Sequence, residues 1–252
     1  MSGLGVVAGP IPKAQRLNTG SNAFNQLLGG GLPACAVTDI FGAPATGKTQ
    51  FAFQCALFCS LESLQEDKPN TIFVDCGGSF RPERITEVAE AKGLSIKSQI
   101  LDRISSISVR SVEEQCNANE LVLSSERFDE CRLLIIDDIT TNFVAEFSGV
   151  TNGGEEPFVT RYYKLSSYIR KLVYISLVRR MSVLLTNSVR SRFSSAVRTQ
   201  SEVETTGEII SEFALFRLHF TKQEKIRKAT VVQPFVQNNY AEFNIEKKGI
   251  VP

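Results

Sequence analysis

Gly42-Ala43-Pro44-Ala45-Thr46-Gly47-Lys48-Thr49 is the stretch that decides how this chain reads. Before it runs AVTDIFG (36–42), which has the look of a buried strand; after it runs KTQFAFQCALFCSLESL (48–64), which has helical spacing. The two glycines permit a tight turn whose backbone N–H groups converge. The helix that follows adds the partial positive charge of its N-terminus at the same point. The stretch matches GxxxxGK[ST]. A chance match somewhere in 252 positions is on the order of one in a hundred, and the strand–loop–helix context sharpens it. The chemistry expected is ATP binding by all eight residues, Gly42, Ala43, Pro44, Ala45, Thr46, Gly47, Lys48 and Thr49. Lys48 would neutralise the β- and γ-phosphates, and the Thr49 hydroxyl would hold Mg²⁺.

A second element belongs with the first. Leu133-Leu134-Ile135-Ile136 is apolar throughout and ends in Asp137, as a strand buried on both faces should. Such a strand carries its carboxylate to the end of the sheet where the phosphates lie, so Asp137 is expected to support Mg²⁺ through water. Between and beyond these, strands alternate with helices. TIFVD (71–75), ISSISV (104–109) and MSVLLTN (181–187) read as strands. Helices are expected from Pro82 to about Lys92, over VEEQCNANELVLSS (112–125), and over residues 160–180. After Gly207, FALFRLHF, KATVVQPF and YAEFNIEKKG read as three antiparallel strands. The fold class is therefore α/β: a mostly parallel central sheet flanked by helices, closed by C-terminal antiparallel strands. Two polar stretches, Phe147 to Pro157 and Arg190 to Thr206, read as loops.

Composition excludes several classes. No apolar run approaches the roughly 18 residues of a membrane span, and the N-terminus lacks a basic region followed by an apolar stretch. An intracellular location is expected, cytoplasm or, in a eukaryote, nucleus. The six cysteines form no CxxC pair, so neither a zinc site nor a disulfide framework is indicated; Cys55 and Cys59 read as buried small hydrophobes. The single histidine, His219, sits in an alternating strand pattern rather than in a catalytic constellation. Charge is segregated. Residues 157–201 contain nine Lys or Arg and no Asp or Glu, so with a net charge of +1 the remainder carries −8. A basic stretch of this kind suits contact with a phosphate backbone, and suits equally a solvated helix face.

Longer stretches carry a family resemblance. RLNTGSNAFNQLLGGGLPACAVTDIFGAPATGKTQ (16–50), VDCGGSFRPERI (74–85), LLIIDDITTNF (133–143), TRYYKLSSYIRKL (160–172), VLLTNSV (183–189) and FNIEKKGI (243–250) resemble, in order, the core of the RecA/RadA recombinases. The resemblance implies a RecA-like P-loop core over residues 16–252 behind a short extension, 1–15. A core of this length looks like the archaeal RadB type of paralogue. The family's DNA-binding domain and its linker Phe-x-x-Ala motif are not matched in the first 15 residues; Phe193-Ser194-Ser195-Ala196 fits the motif only literally.

Three positions depart from the family pattern. Where the family reads Asp-Thr-Glu-Gly, with the glutamate activating water, this chain reads Asp75-Cys76-Gly77-Gly78. Thr186-Asn187-Ser188 replaces the family's Thr-Asn-Gln γ-phosphate sensor, and Val232 stands where an Asp caps ATP across a filament interface. The resemblance with these departures implies an ATP-binding accessory or mediator of a RadA-type recombinase, with hydrolysis weak or absent. Asp138 remains a possible substitute base. The resemblance also places DNA contacts in the two loops. Arg190, Arg192, Phe193 and Arg198 supply cations and a stacking ring for single-stranded DNA at modest affinity. The same loop would serve a protein partner as well. A DNA-dependent ATPase that pairs strands itself, and a clock-type signalling ATPase with protein partners only, are the alternatives.

Overall fold

Leu133 and Ile135 pack into one hydrophobic core, and Leu134 and Ile136, their immediate neighbours, into another. Successive strand residues point to opposite faces, so a strand apolar at every position must be covered on both sides. The architecture follows from that requirement. The structure, a computed structural model, describes residues 16–62, 69–94, 97–147, 157–193, 200–204, 206–235 and 239–252. In chain order these form β1 (Arg16–Leu17), α1 (Asn22–Leu27), β2 (Leu32–Pro33), β3 (Ala36–Gly42), α2 (Lys48–Leu61), β4 (Thr71–Asp75) and α3 (Pro82–Ala91). Next come α4 (Lys97–Asp102), β5 (Ile104–Ser108), α5 (Val112–Ser124), β6 (Leu133–Asp137), α6 (Thr141–Glu146) and α7 (Pro157–Val178). The chain closes with β7 (Ser182–Phe193), β8 (Gln200–Glu204), α8 (Gly207–Ser211), β9 (Phe216–Gln223), β10 (Ile226–Gln233), β11 (Tyr240–Glu246) and β12 (Gly249–Val251).

The main sheet runs β12-β11-β10-β9-β3-β7-β6-β4-β5, with β8 attached to β7. From β9 through β3, β7, β6 and β4 to β5 every pairing is parallel. Residues of α1, α2, α3 and α4 fill one core; residues of α5, α6, α7 and α8 fill the other. The α/β expectation holds, and β10 is antiparallel to both of its neighbours, β9 and β11. In addition β9 pairs in parallel with β3, which places the phosphate-loop strand between β7 and β9.

The stretch expected as one loop from Arg190 to Thr206 is in part a hairpin. β7 continues to Phe193 and pairs antiparallel with β8, Arg190 opposite Val203 and Arg192 opposite Ser201. A two-stranded ribbon lying off the main sheet needs no apolar row, so its Ser, Thr and Arg content reads as loop. Arg190, Arg192 and Phe193 thus stand on strand backbone. Arg198, the literal Phe-x-x-Ala match beyond Phe193, the extension 1–15, and 148–156 of the other loop lie outside the described residues.

Candidate nucleotide site

The phosphate loop is fixed from behind. Phe51, in the first turns of α2, is fully buried against Phe24 and Phe220, at ring-centroid distances of 4.6 and 5.9 Å, and Phe24 and Phe220 both pack on Phe243. This aromatic cluster ties the helix start to β9 and β11. At the other end of the loop only glycine fits. A Cβ on Gly42 would lie 2.1 Å from the carbonyl oxygen of Phe220. Gly47, at φ 110°, is the N-cap of α2 and supplies no capping side chain. The first turn of α2 also holds no acidic residue, so its amides have neither a side-chain cap nor a carboxylate to answer them.

Lys48 is buried, and its ammonium donates to the carbonyls of Gly42 at 2.7 Å and Ala43 at 3.0 Å. Thr46 donates to the Ala43 carbonyl at 2.9 Å. Asp137, at the end of β6, is also buried. Its carboxylate accepts from Thr49 Oγ1 at 3.0 and 3.2 Å, from Ser79 Oγ at 2.6 Å, and from the hydroxyl of Thr186. Burial raises the Asp137 carboxyl above its ordinary range, and these three hydroxyls pull against that shift. Thr49 and Asp137, separated by 88 positions in sequence, are therefore brought together as the sequence motifs require. Ser79 and Thr186 complete the ring; Ser79 carries no motif signal, and Thr186 opens the sensor stretch 186–188, which does not mark it as a partner of Asp137.

The turn after β4 is organised by Asp75. Its carboxylate accepts from the backbone N–H of Ser79 at 2.8 Å and of Phe80 at 3.1 Å. That leaves Gly77 exposed, and a Cβ built there meets no atom of the described residues within 4 Å. Asp138 follows Asp137 across a cis peptide bond. One of its oxygens accepts from Thr140 N at 2.8 Å and Thr140 Oγ1 at 2.7 Å, the other from the Ser188 hydroxyl. Ser188 is itself in register with Gly42 on β3, at the mouth of the loop.

Beside the loop is a cavity of about 370 Å³, lined by Gly47, Lys48, Thr49, Gln50, Arg227 and Ile245 among others. Arg84 braces its surroundings, donating to Gln50 Oε1 at 2.8 Å and to the carbonyls of Glu246 and Lys247 at 2.6 and 3.1 Å. Arg227 and Ile245 are 178 residues or more beyond Thr49 in the chain and carry no local motif, so nothing in the sequence joins them to the loop.

This geometry fits a nucleoside triphosphate with Mg²⁺. The uncapped amides and the buried ammonium of Lys48 suit phosphate, and the oxygen donors Thr49 and Asp137 suit a hard divalent cation. When bound, that cation would draw charge from the phosphates; the chain's own part is to hold them and to place Asp137.

Comparison with known proteins places the chain. A family model described as Rad51 matches residues 13–252. The chain is 28% identical over 255 residues to the DNA repair and recombination protein RadA of Methanococcus maripaludis strain C5, covering 93% of this chain and 75% of that protein. It is 32% identical over 180 residues to the DNA repair and recombination protein RadA of Metallosphaera sedula, covering 71% of this chain and 54% of that protein. No described helix is long and apolar enough to cross a membrane.

Proposed function

The chain belongs to the Rad51 family, and from that premise we propose that it is an ATP-binding protein of homologous recombination and DNA repair. Its role in this reading is to assist a RadA-type recombinase, with hydrolysis slow or absent. The observation that carries the reading is a contrast within one site. Everything that would hold ATP and Mg²⁺ is assembled: the phosphate loop, Lys48, and the Thr49–Asp137 pair. Yet the turn that would place the attacking water carries an exposed Gly77, which among the described residues offers no side chain to it. A water-positioning group is worth about 10² to 10⁴ in rate, by analogy with general bases, and its loss leaves affinity intact. Asp138 is the candidate to act in its place, already engaged by Thr140 and Ser188.

An accessory role asks for a docking edge rather than a catalyst. β5 ends the strand order, so an extended Phe-x-x-Ala segment from a recombinase would add beside it in β-augmentation. Arg190, Arg192 and Phe193 of β7, with Arg198, would hold single-stranded DNA at modest affinity, beside the Glu202 and Glu204 that β8 brings to the same hairpin.

The test is nucleotide binding and turnover measured on the same preparation, with and without single-stranded DNA. Mg²⁺-dependent thermal stabilisation by ATP, lost in Lys48→Ala, with little phosphate release in either condition, supports the reading. Saturation at about 100 times Kd would add about 2.7 kcal/mol to the stability of the wild type. Rapid DNA-stimulated turnover would instead establish a strand-pairing ATPase.

A further inference from the structure

β10 departs from its own alternation where it nears the phosphate loop. Ala229 and Val231 are buried, at 0% and 2% exposure, in the core that also holds Phe220 and Phe243. Residues two apart share a face, so position 227 belongs to the same inward row, and the register sets Arg227 opposite buried Phe243. Ile226, one residue earlier, is 53% exposed. The strand turns an arginine in and an isoleucine out. Hydrophobic burial alone favours the reverse order, so the inward position holds its arginine for another reason.

The surroundings indicate the reason. A Cβ at Gly47 would lie 3.6 Å from Arg227 Cδ, so the arginine stem lies against Gly47 of the loop. Arg227 lines the cavity beside Gly47, Lys48, Thr49 and Gln50, and its Nε is buried with no hydrogen-bond partner among the described residues. Two cations, Lys48 and Arg227, line this cavity, and none of the described residues lining it is acidic. Converging like charges with an unanswered donor are unfavourable in the protein alone and favourable around an anion. A guanidinium fork, unlike an ammonium, can give two parallel hydrogen bonds to phosphate oxygens.

We infer that Arg227 is a second phosphate-binding cation of the nucleotide site, presented from β10 rather than from the loop. The inference rests on the nucleotide-binding reading above and assigns part of that binding to a residue no motif marks. Lys48 holds the loop side of the phosphates; Arg227 closes over them from the C-terminal strands.

The test uses the full chain with Mg²⁺, displacing a fluorescent ADP analogue with ATP, ADP and pyrophosphate. Wild type is compared with Arg227→Ala, Arg227→Gln and Arg227→Lys, and the thermal midpoint of each is recorded without nucleotide. The expected result is a roughly ten- to hundredfold loss of affinity for all three ligands in the Ala and Gln variants, the worth of a charged hydrogen bond. Lys should recover part of it, and the unliganded midpoints should stay near wild type. Unchanged affinity in Gln, or a loss confined to ATP and ADP with pyrophosphate binding intact, overturns the phosphate role. If Ala does not fold, Gln and Lys decide. A wild type without Lys48-dependent binding removes the nucleotide reading and this inference together, whereas a binding wild type with insensitive Arg227 variants removes only the inference.

Discussion

The hydroxyl of Ser188, on β7, donates to the carboxylate of Asp138, just past the end of β6. The other Asp138 oxygen is taken by Thr140, so the two strands are cross-tied at the mouth of the phosphate loop. Removing the tie in Ser188→Ala should cost about 1 kcal/mol of stability, the ordinary worth of a hydrogen bond, without weakening ATP affinity. Urea unfolding and a nucleotide titration on the same variant check both halves.

Two glycines in the site should respond oppositely to a methyl group. Gly42→Ala drives a Cβ to 2.1 Å from the Phe220 carbonyl and should destabilise by at least about 2 kcal/mol, with loss of nucleotide binding. Gly77→Ala meets open space and should change stability by less than about 0.5 kcal/mol. Thermal melts of the pair are sufficient, and a stable Gly42→Ala would mean that β9 yields more easily than its parallel pairing with β3 implies.

Because position 77 is exposed and unobstructed, Gly77→Glu should fold as wild type does and raise ATP turnover, by up to about 10² if the new carboxylate reaches the water. Ser188, held by Asp138, would limit the gain. A phosphate-release assay decides. A wild type already turning over quickly, and slowed by Asp138→Asn, would assign water positioning to Asp138 instead.

Replacing Arg190, Arg192 and Arg198 together with Ala should remove most single-strand binding. The wild-type salt dependence should be shallow, about −0.7 per phosphate contacted. Fluorescence anisotropy at several salt concentrations reads both quantities. Unchanged affinity would move the contact to the basic residues of α7.

A full-length RadA-type recombinase should be captured by this protein, and a version with its linker Phe and Ala replaced should not. Equal capture of both versions would exclude docking beside β5.

What the residues disclosed in advance depended on distance along the chain. The phosphate loop is a contiguous signal, and Asp137 closes a run of apolar residues, so both were legible, as was the layered α/β order. Ser79 was not legible as a site partner, and Thr186 and Ser188, legible by resemblance as the sensor stretch, were not legible as partners of Asp137 and Asp138, because a hydroxyl becomes one only when strand register brings it to a carboxylate. Arg227 escaped for the same reason, although its inversion with Ile226 was written in the sequence; seeing it required knowing which face of β10 is inward. The β7–β8 ribbon was hidden by composition. Lying off the main sheet, it lacks the apolar row by which strands announce themselves.

Both neighbours of β3 in the sheet, β7 and β9, come from the second half of the chain. A fragment ending before Pro157 would keep the whole phosphate loop, Thr49, Ser79 and Asp137, yet β3 would have no strand on either side. Gly42 would lose the Phe220 carbonyl it is shaped around, and Asp137 its hydroxyl from Thr186. A half made by splitting the gene at that point should therefore not bind nucleotide, and two halves supplied together would have to reassemble by seating β7 between β3 and β6 and β9 beside β3. Nucleotide-dependent complementation between such halves would then report directly on closure of the sheet.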